Sequence, residues 1–209
     1  MIRVMIVDDH DLISNAIAAL LSDVPNITVI AKATTGEEAI LLANQCKPNV
    51  ILMDIQLPGI SGIAATEKIM AKDPEIKIIA LSSHAEELFV INILKAGAQG
   101  YLTKGASVEK MVEAIRTVAA GKKFIEPITA QKLALKNTSN TTPSPFEALS
   151  AREFNIVMML SQGLSPKAIA EKLFISIKTL NSHRYKIHEK LNIKTDVDLI
   201  LLAKQIELV

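Results

Sequence analysis

The feature that most constrains this chain is an alternation. Between Ile2 and Ala120, five short apolar runs take turns with five stretches of helical spacing. The runs are Ile2–Val7, Ile27–Ala31, Val50–Asp54, Ile76–Leu81 and Gln99–Thr103. The stretches Leu12–Leu21, Gly36–Cys46, Gly62–Ala71, Ala85–Lys95 and Ser107–Ala120 space their apolar residues three and four apart, as amphipathic helices do. Strands alternating with helices predict right-handed crossovers and a parallel sheet with helices on both faces. The run Val50-Ile51-Leu52-Met53 is apolar without interruption, as a strand covered on both sides must be. It ends at Asp54, and the breaker Pro58-Gly59 follows shortly after. Ligands of open parallel sheets gather at the carboxyl ends of the strands, so a lone Asp there is either a turn cap or a functional group.

From Lys122 the alternation stops. Residues 123–146 are expected to be a linker, because Asn137 to Pro145 is small, polar and proline-containing; a short helix over Ala130–Lys136 fits before it. Residues 147–209 read as helical throughout. Ser150 with Glu153 forms a capping box for Arg152–Gln162. Ser165 caps Lys167–Leu173 with Pro166 in the first turn. Ser176 caps Ile177–Leu191, and Asp196 opens Val197–Ile206. A short helix, a turn of Phe174-Ile175-Ser176 and a longer basic helix follow the grammar of a helix-turn-helix.

Charge divides unevenly. Residues 1–122 hold 14 acidic and 11 basic side chains, residues 147–209 hold 7 and 9. The basic excess concentrates at Lys178, Arg184, Lys186, Lys190 and Lys194, which suits nucleic acid or simply a solvated helix face. One cysteine, Cys46, rules out an internal disulfide framework and a cysteine-rich metal site. No apolar run has membrane-spanning length. The N-terminal run meets Asp8-Asp9 too early for a signal peptide. A soluble, cytoplasmic protein without membrane partners is therefore expected.

In a parallel sheet, the polar residues that end the runs converge on one edge. They are Asp8 and Asp9, Asp54, Ser82 and Lys104. Carboxylates brought so close repel one another, and Mg²⁺ would neutralise them while accepting a phosphate oxygen as a further ligand. An Asp carboxylate can attack phosphorus to give an aspartyl phosphate. Lys104 would supply a positive charge to the transferred group and Ser82 a hydroxyl. His10 follows the acidic pair, but Mg²⁺ prefers oxygen, so its expected role is structural. Asp11 is expected to cap the next helix. Gln56 and His84, two places beyond Asp54 and Ser82, would line the entrance for hydrolytic water.

This set resembles the receiver domain of two-component response regulators: Asp8-Asp9, Asp54 with Pro58-Gly59 and Gly62, Leu81-Ser82, and Gly100-Tyr101-Leu102-Thr103-Lys104. The match spans residues 1–122. The resemblance implies a flavodoxin-like α/β fold, a doubly wound parallel sheet of five strands. It implies Asp54 as phosphoacceptor, Asp8, Asp9 and Asp54 as the Mg²⁺ site, and Lys104 as the phosphate's ion-pair partner. Ser82 and Tyr101 would be the switch pair, with Tyr101 turning inward when Ser82 moves to the phosphoryl group.

Leu149–Glu153, Gly163–Ala170, Leu173–His183 and Lys190–Ile193 resemble the LuxR-type helix-turn-helix, a smaller all-α domain of four helices. Receiver and helix-turn-helix together resemble the NarL/FixJ-type regulators. Asn181–Tyr185, Lys190–Ile193 and Asp196–Leu199 are similar to the GacA/UvrY subgroup. On this reading Ile177–Leu191 enters the major groove of double-stranded DNA. Leu180, Ile187 and Leu191 would face inward. Lys178, Asn181, Ser182 and Tyr185 would face out, with Arg184 and Lys186 on the flanks. Lys178, Asn181 and Ser182 sit where base edges are reached, and Asn can pair with adenine. Lys186, Lys190 and Lys194 would meet phosphates. Thr179 and His183 are further contact candidates. Three positions depart from the family pattern: Pro166 replaces a usual Asn, Asn155 an often acidic residue, and the usual Arg near Asp196 is absent.

The resemblance implies a transcription factor, not an enzyme. A sensor histidine kinase, or acetyl phosphate, would donate the phosphoryl group, and a homodimer would form on phosphorylation. A phosphatase with an aspartyl nucleophile would need an acid where Gln56 stands. A receiver serving only as a protein-binding module would not need the filled acidic edge or the basic helix.

Overall fold

The computed structural model describes residues 1–82, 87–138 and 144–205. The chain divides into two compact units, Met1–Thr141 and Thr142–Val209. The first is built from β1 (Ile2–Val7), α1 (Asp11–Ser22), β2 (Ile27–Ala33), α2 (Gly36–Cys46), β3 (Val50–Asp54) and α3 (Gly62–Lys72). It continues with β4 (Lys77–Ser82), α4 (Glu87–Lys95), β5 (Gly100–Thr103), α5 (Val108–Ala119), β6 (Phe124–Ile125) and α6 (Pro127–Thr138). The strands form one parallel sheet in the order β2-β1-β3-β4-β5-β6.

Every residue of β3 is buried, because the sheet is covered on both faces. On one face Val4, Ile6, Val50, Leu52, Ile79, Leu81 and Leu102 pack with Ile17 and Leu21 of α1 and with Met111, Ile115 and Val118 of α5. Each such side chain contributes roughly 1.5–3 kcal/mol when it leaves water. Tyr101, one place before Leu102, points to the other face by strand alternation and is itself fully buried. Thr35, Ser61 and Ser107 cap α2, α3 and α5 through their hydroxyls. Asp11 does not cap α1. His10 occupies the cap position without a side-chain bond, and Asp11 lies in the first turn, where the helix dipole still favours its charge.

The sheet has six strands rather than the expected five. β6 is two residues long and follows Lys122-Lys123, too short for any periodicity to register. Its pairing of Gly100 with Phe124 and Tyr101 with Ile125 extends the sheet past β5. The helix expected over 130–136 also starts earlier, at Pro127. The segment 123–138 therefore carries structure where a linker was expected. Of the remaining stretch, residues 139–143 lie outside the described residues.

The second unit opens with a 3₁₀ turn, Pro145–Ala148, followed by α7 (Ala151–Ser161), α8 (Pro166–Leu173), α9 (Ile177–Leu191) and α10 (Asp196–Gln205). Ser150, Ser165 and Ser176 accept the backbone N–H groups of Glu153, Ala168 and Thr179, as their spacing predicted. Phe146, Phe154, Ile156, Val157, Ile169, Leu180, Ile187 and Leu199 form its buried interior. Ile206, the expected end of the last helix, lies outside the described residues.

Candidate functional site: an acidic sheet edge and an exposed basic helix

Parallel pairing brings the carboxyl ends of β1, β3, β4 and β5 to one edge. Asp8 follows β1 and is fully buried; Asp54 ends β3 and is 2% exposed. Lys104, just after β5, reaches both, with Nζ 2.8 Å from Asp8 Oδ2 and 2.7 Å from Asp54 Oδ2. The other Asp54 oxygen accepts the Gln56 N–H at 3.0 Å. Asp9 stands at the rim with its side chain 31% exposed. His10 Nδ1 lies 2.9 Å from Asp9 Oδ1 and 3.3 Å from Asp8 Oδ1, a tie between the loop's own side chains.

One ammonium thus serves two buried carboxylates. Burial pushes the Asp54 carboxyl above its ordinary range, and the Asp8 charge adds to this, against the pull of Lys104 and the Gln56 N–H. Burial works to lower Lys104, but its hydrogen bonds to Asp54 and Asp8 outweigh it and hold the ammonium charged. The Asp54 shift thus reports burial first and the neighbouring Asp8 charge last, whereas the Lys104 shift reports its two carboxylate partners. One ligand atom from each of Asp8, Asp9, His10 and Asp54 lies within 4.8 Å of the others. Asp8 Oδ2 meets Lys104 Nζ at 2.8 Å as an ion pair. Carboxylate oxygens gathered this closely, two of the acids buried, suit a small divalent cation such as Mg²⁺.

Ser82 ends β4 opposite Thr103, is 6% exposed, and its carbonyl accepts the Lys104 N–H at 2.7 Å. Tyr101 of β5 is fully buried, the inward placement expected of it as partner of Ser82 in the switch pair. Gln56 is exposed beside Asp54; His84 lies outside the described residues. Sequence reasoning missed Glu37, in the first turn of α2. Its carboxylate accepts the Ile60 N–H at 3.2 and 3.3 Å and so braces the loop after Asp54. It also missed Glu126, whose carboxylate takes two bonds from Thr103. Neither carries a local sequence signal, because both act across the fold.

In the second unit, Leu180, Ile187 and Leu191 of α9 are buried as the helical spacing predicted. Lys178, Thr179, Asn181, Ser182, Tyr185 and Lys186 are exposed, and His183 is half-buried. Thr179 is occupied with Ser176 at the helix start, hydroxyl to hydroxyl at 2.9 Å. Ser182 donates back to the Lys178 carbonyl at 3.1 Å. Arg184 and Lys190 each have an acidic partner within the unit. Arg184 Nη2 meets Asp196 Oδ2 at 2.5 Å, and its Nη1 donates to Asn181 Oδ1 at 3.0 Å. His188 Nε2 joins the same Asp196 at 2.9 Å. Lys190 Nζ lies 2.6 Å from Glu153 Oε2, the carboxylate that also completes the Ser150 capping box. Lys190 stays exposed and Arg184 half-buried, each paired because the buried Glu153 of α7 and the half-buried Asp196 of α10 lie within reach. Burial raises the Glu153 carboxyl, but Lys190 and the Ser150 bonds bring it below its ordinary value.

A doubly wound parallel sheet with acids and a lysine at its edge, followed by a helix-turn-helix, defines a response regulator. The response regulator receiver domain family matches residues 4–116, and the LuxR family of bacterial regulatory proteins matches residues 147–203. The chain belongs to the two-component response regulators that join these two domains. Response regulator GacA of Pseudomonas protegens is 46% identical over 97% of this chain and 95% of its own length. Response regulator UvrY of Escherichia coli K12 is 42% identical over 97% and 94%. A structure of RcsB from Salmonella enterica serovar Typhimurium, bound to promoter P1flhDC with phosphomimetic BeF₃⁻, shares the fold with a TM-score of 0.71. It is 21% identical and covers 96% of this chain and 97% of that one. Among the described residues, no helix is long and apolar enough to cross a membrane.

Proposed function

We propose that Asp54 accepts a phosphoryl group from a sensor histidine kinase or acetyl phosphate, and that this controls sequence-specific DNA binding by α9. The carrying observation is the arrangement of Lys104 Nζ between Asp8 and Asp54 at 2.8 and 2.7 Å, with Asp54 pinned by the Gln56 N–H. Asp8, Asp9 and Asp54 would hold Mg²⁺, which when bound neutralises the carboxylates and draws in phosphate oxygens. An Asp54 oxygen attacks phosphorus. The bond from phosphorus to the donor nitrogen or oxygen breaks, and its electron pair leaves with the donor. Lys104 then pairs with the phosphoryl group, and Ser82 donates its hydroxyl to it. Tyr101, buried in β5, holds the inward position that goes with this contact. The RcsB neighbour, bound to a promoter in the presence of phosphomimetic BeF₃⁻, supports linking the phosphoryl site to DNA binding.

The domain boundaries follow from this reading, with a receiver extended through α6 and the DNA-binding unit from residue 142. Lys178, Asn181, Ser182 and Tyr185 present the base-reading face of α9, and Lys186 meets phosphate. Val197 and Leu201 of α10, 65% and 56% exposed, are the face on which two phosphorylated copies pair. The protein works in the cytoplasm, where kinase and chromosome meet. The first test is intact mass after incubation with acetyl phosphate and Mg²⁺. One phosphoryl group should appear on the wild type and none on Asp54→Asn; equal labelling of both would reject the assignment.

A second prediction concerns Asp196, which occupies Arg184 and His188. Asp196→Asn should release Arg184 toward the DNA backbone. The slope of log affinity against log salt should steepen by roughly one, the release of one more counterion. An unchanged slope would mean that Arg184 does not face phosphate.

A further inference from the structure

We propose that Glu126 is a positioning residue for Lys104, and through it for phosphoryl capture. This rests on the reading of Asp54 as phosphoacceptor. Glu126 lies between β6 and α6 and is 5% exposed. Its Oε2 accepts both the backbone N–H of Thr103 at 3.1 Å and the Thr103 hydroxyl at 2.8 Å. Lys110 Nζ stands 3.4 Å from its Oε1. The Glu126 backbone is fixed as well. Its N–H donates to the Tyr101 carbonyl at 3.1 Å, and its carbonyl accepts the Ala130 N–H at 2.9 Å.

A carboxylate at the start of a helix ordinarily turns back to cap that helix. Glu126 instead reaches across to the neighbouring strand and grips the residue directly before Lys104. A lysine side chain is long and flexible, so where its ammonium sits depends on how firmly its root is held. The root of Lys104 is held from two sides. Its own N–H is tied to the Ser82 carbonyl at 2.7 Å, and Thr103 is tied to Glu126. The two-residue strand β6 makes this possible by setting Glu126 level with the end of β5. Opposing burial, the Thr103 and Lys110 bonds keep the Glu126 carboxyl below its ordinary value, so it is an anion ready to accept at neutral pH.

The test uses the full chain with Mg²⁺ and beryllofluoride, which stands in for the phosphoryl group. Its apparent affinity is measured together with the ¹⁵Nζ resonance of Lys104. Loss of an orienting partner behind a contact residue typically weakens a site by about 10-fold or more, and Glu126→Ala should do so here and shift the Lys104 signal. Glu126→Gln keeps an acceptor for the Thr103 N–H and should recover most of the affinity. A lowered melting temperature with affinity and Lys104 resonance unchanged would reduce Glu126 to a structural brace and overturn the proposal. If Glu126→Ala does not fold, Thr103→Val removes the hydroxyl bond alone. It should move both readouts the same way by less, and no movement overturns the proposal equally. A wild type that neither binds beryllofluoride nor gains mass from acetyl phosphate would defeat the phosphoacceptor reading itself. A responsive wild type with an equally responsive Glu126→Ala defeats only the role of Glu126.

Discussion

Gly62→Ala is expected to destabilise the first unit by about 3 kcal/mol or more and to displace the backbone that carries Asp54. A Cβ on Gly62 would stand 1.8 Å from the Asp54 carbonyl oxygen, 2.8 Å from its carbon and 2.9 Å from Ile55 Cα. All three are main-chain atoms, so no side-chain rotation relieves the clash. The Gly62 N–H also donates to the Ile55 carbonyl at 3.0 Å, which draws α3 against the end of β3. The helix would have to back away from the strand, and Asp54 would lose its register with Gln56 and Lys104. Gly105→Ala is the matched control, because nothing lies within 4 Å of a Cβ there. Urea midpoints and acetyl phosphate labelling should fall together for Gly62→Ala and hold for Gly105→Ala. Equal midpoints for both would show that the close approach is not rigid.

Lys104→Ala should be the most damaging change among the charged groups. The ammonium is 10% exposed at its side chain and faces two buried carboxylates. Removing one partner of a buried ion pair costs about 3–5 kcal/mol, and the low end applies here because the site opens at the rim where Asp9 is exposed. The pH dependence follows from Asp54. Its carboxyl is already held above the ordinary value of 3.8 by burial, so the folded chain binds more protons than the unfolded one above that value. Stability from this group therefore falls as pH rises from there through the raised value. Without Lys104 the fall should steepen. Asp54→Asn in the same background should flatten it and restore stability, and so should millimolar Mg²⁺. Urea titrations at several pH values read all four cases. A Lys104→Ala protein whose stability does not fall more steeply with rising pH than the wild type's would contradict the charge balance described here.

The receiver sheet was legible because burial on both faces forces the continuous apolar run of Val50–Met53 and leaves Asp54 as its conspicuous end. The converging acids and Lys104 followed once the strands were taken as parallel. The α9 stripe of Leu180, Ile187 and Leu191 was legible for the same reason, since an inward face must be apolar at helical spacing. What escaped was set by contacts between distant segments. β6 is too short to carry a period, and Glu126 looks like any acid before a proline. Arg184 and Lys190 looked free for DNA, because nothing local announces that Asp196 and Glu153 fold against them. Tyr101 was placed correctly on its strand, but its complete burial depends on what packs against it from distant segments, which no local pattern reveals.

The central claim is that phosphoryl capture at Asp54 governs the grip of α9 on DNA. Its most direct test is the affinity of the full chain for a duplex selected by that same chain from a random pool, measured with Mg²⁺ before and after acetyl phosphate treatment. The account predicts tighter binding after treatment for the wild type and no change for Asp54→Asn. Identical affinities for treated and untreated wild type, with the phosphoryl group present by mass, would contradict it.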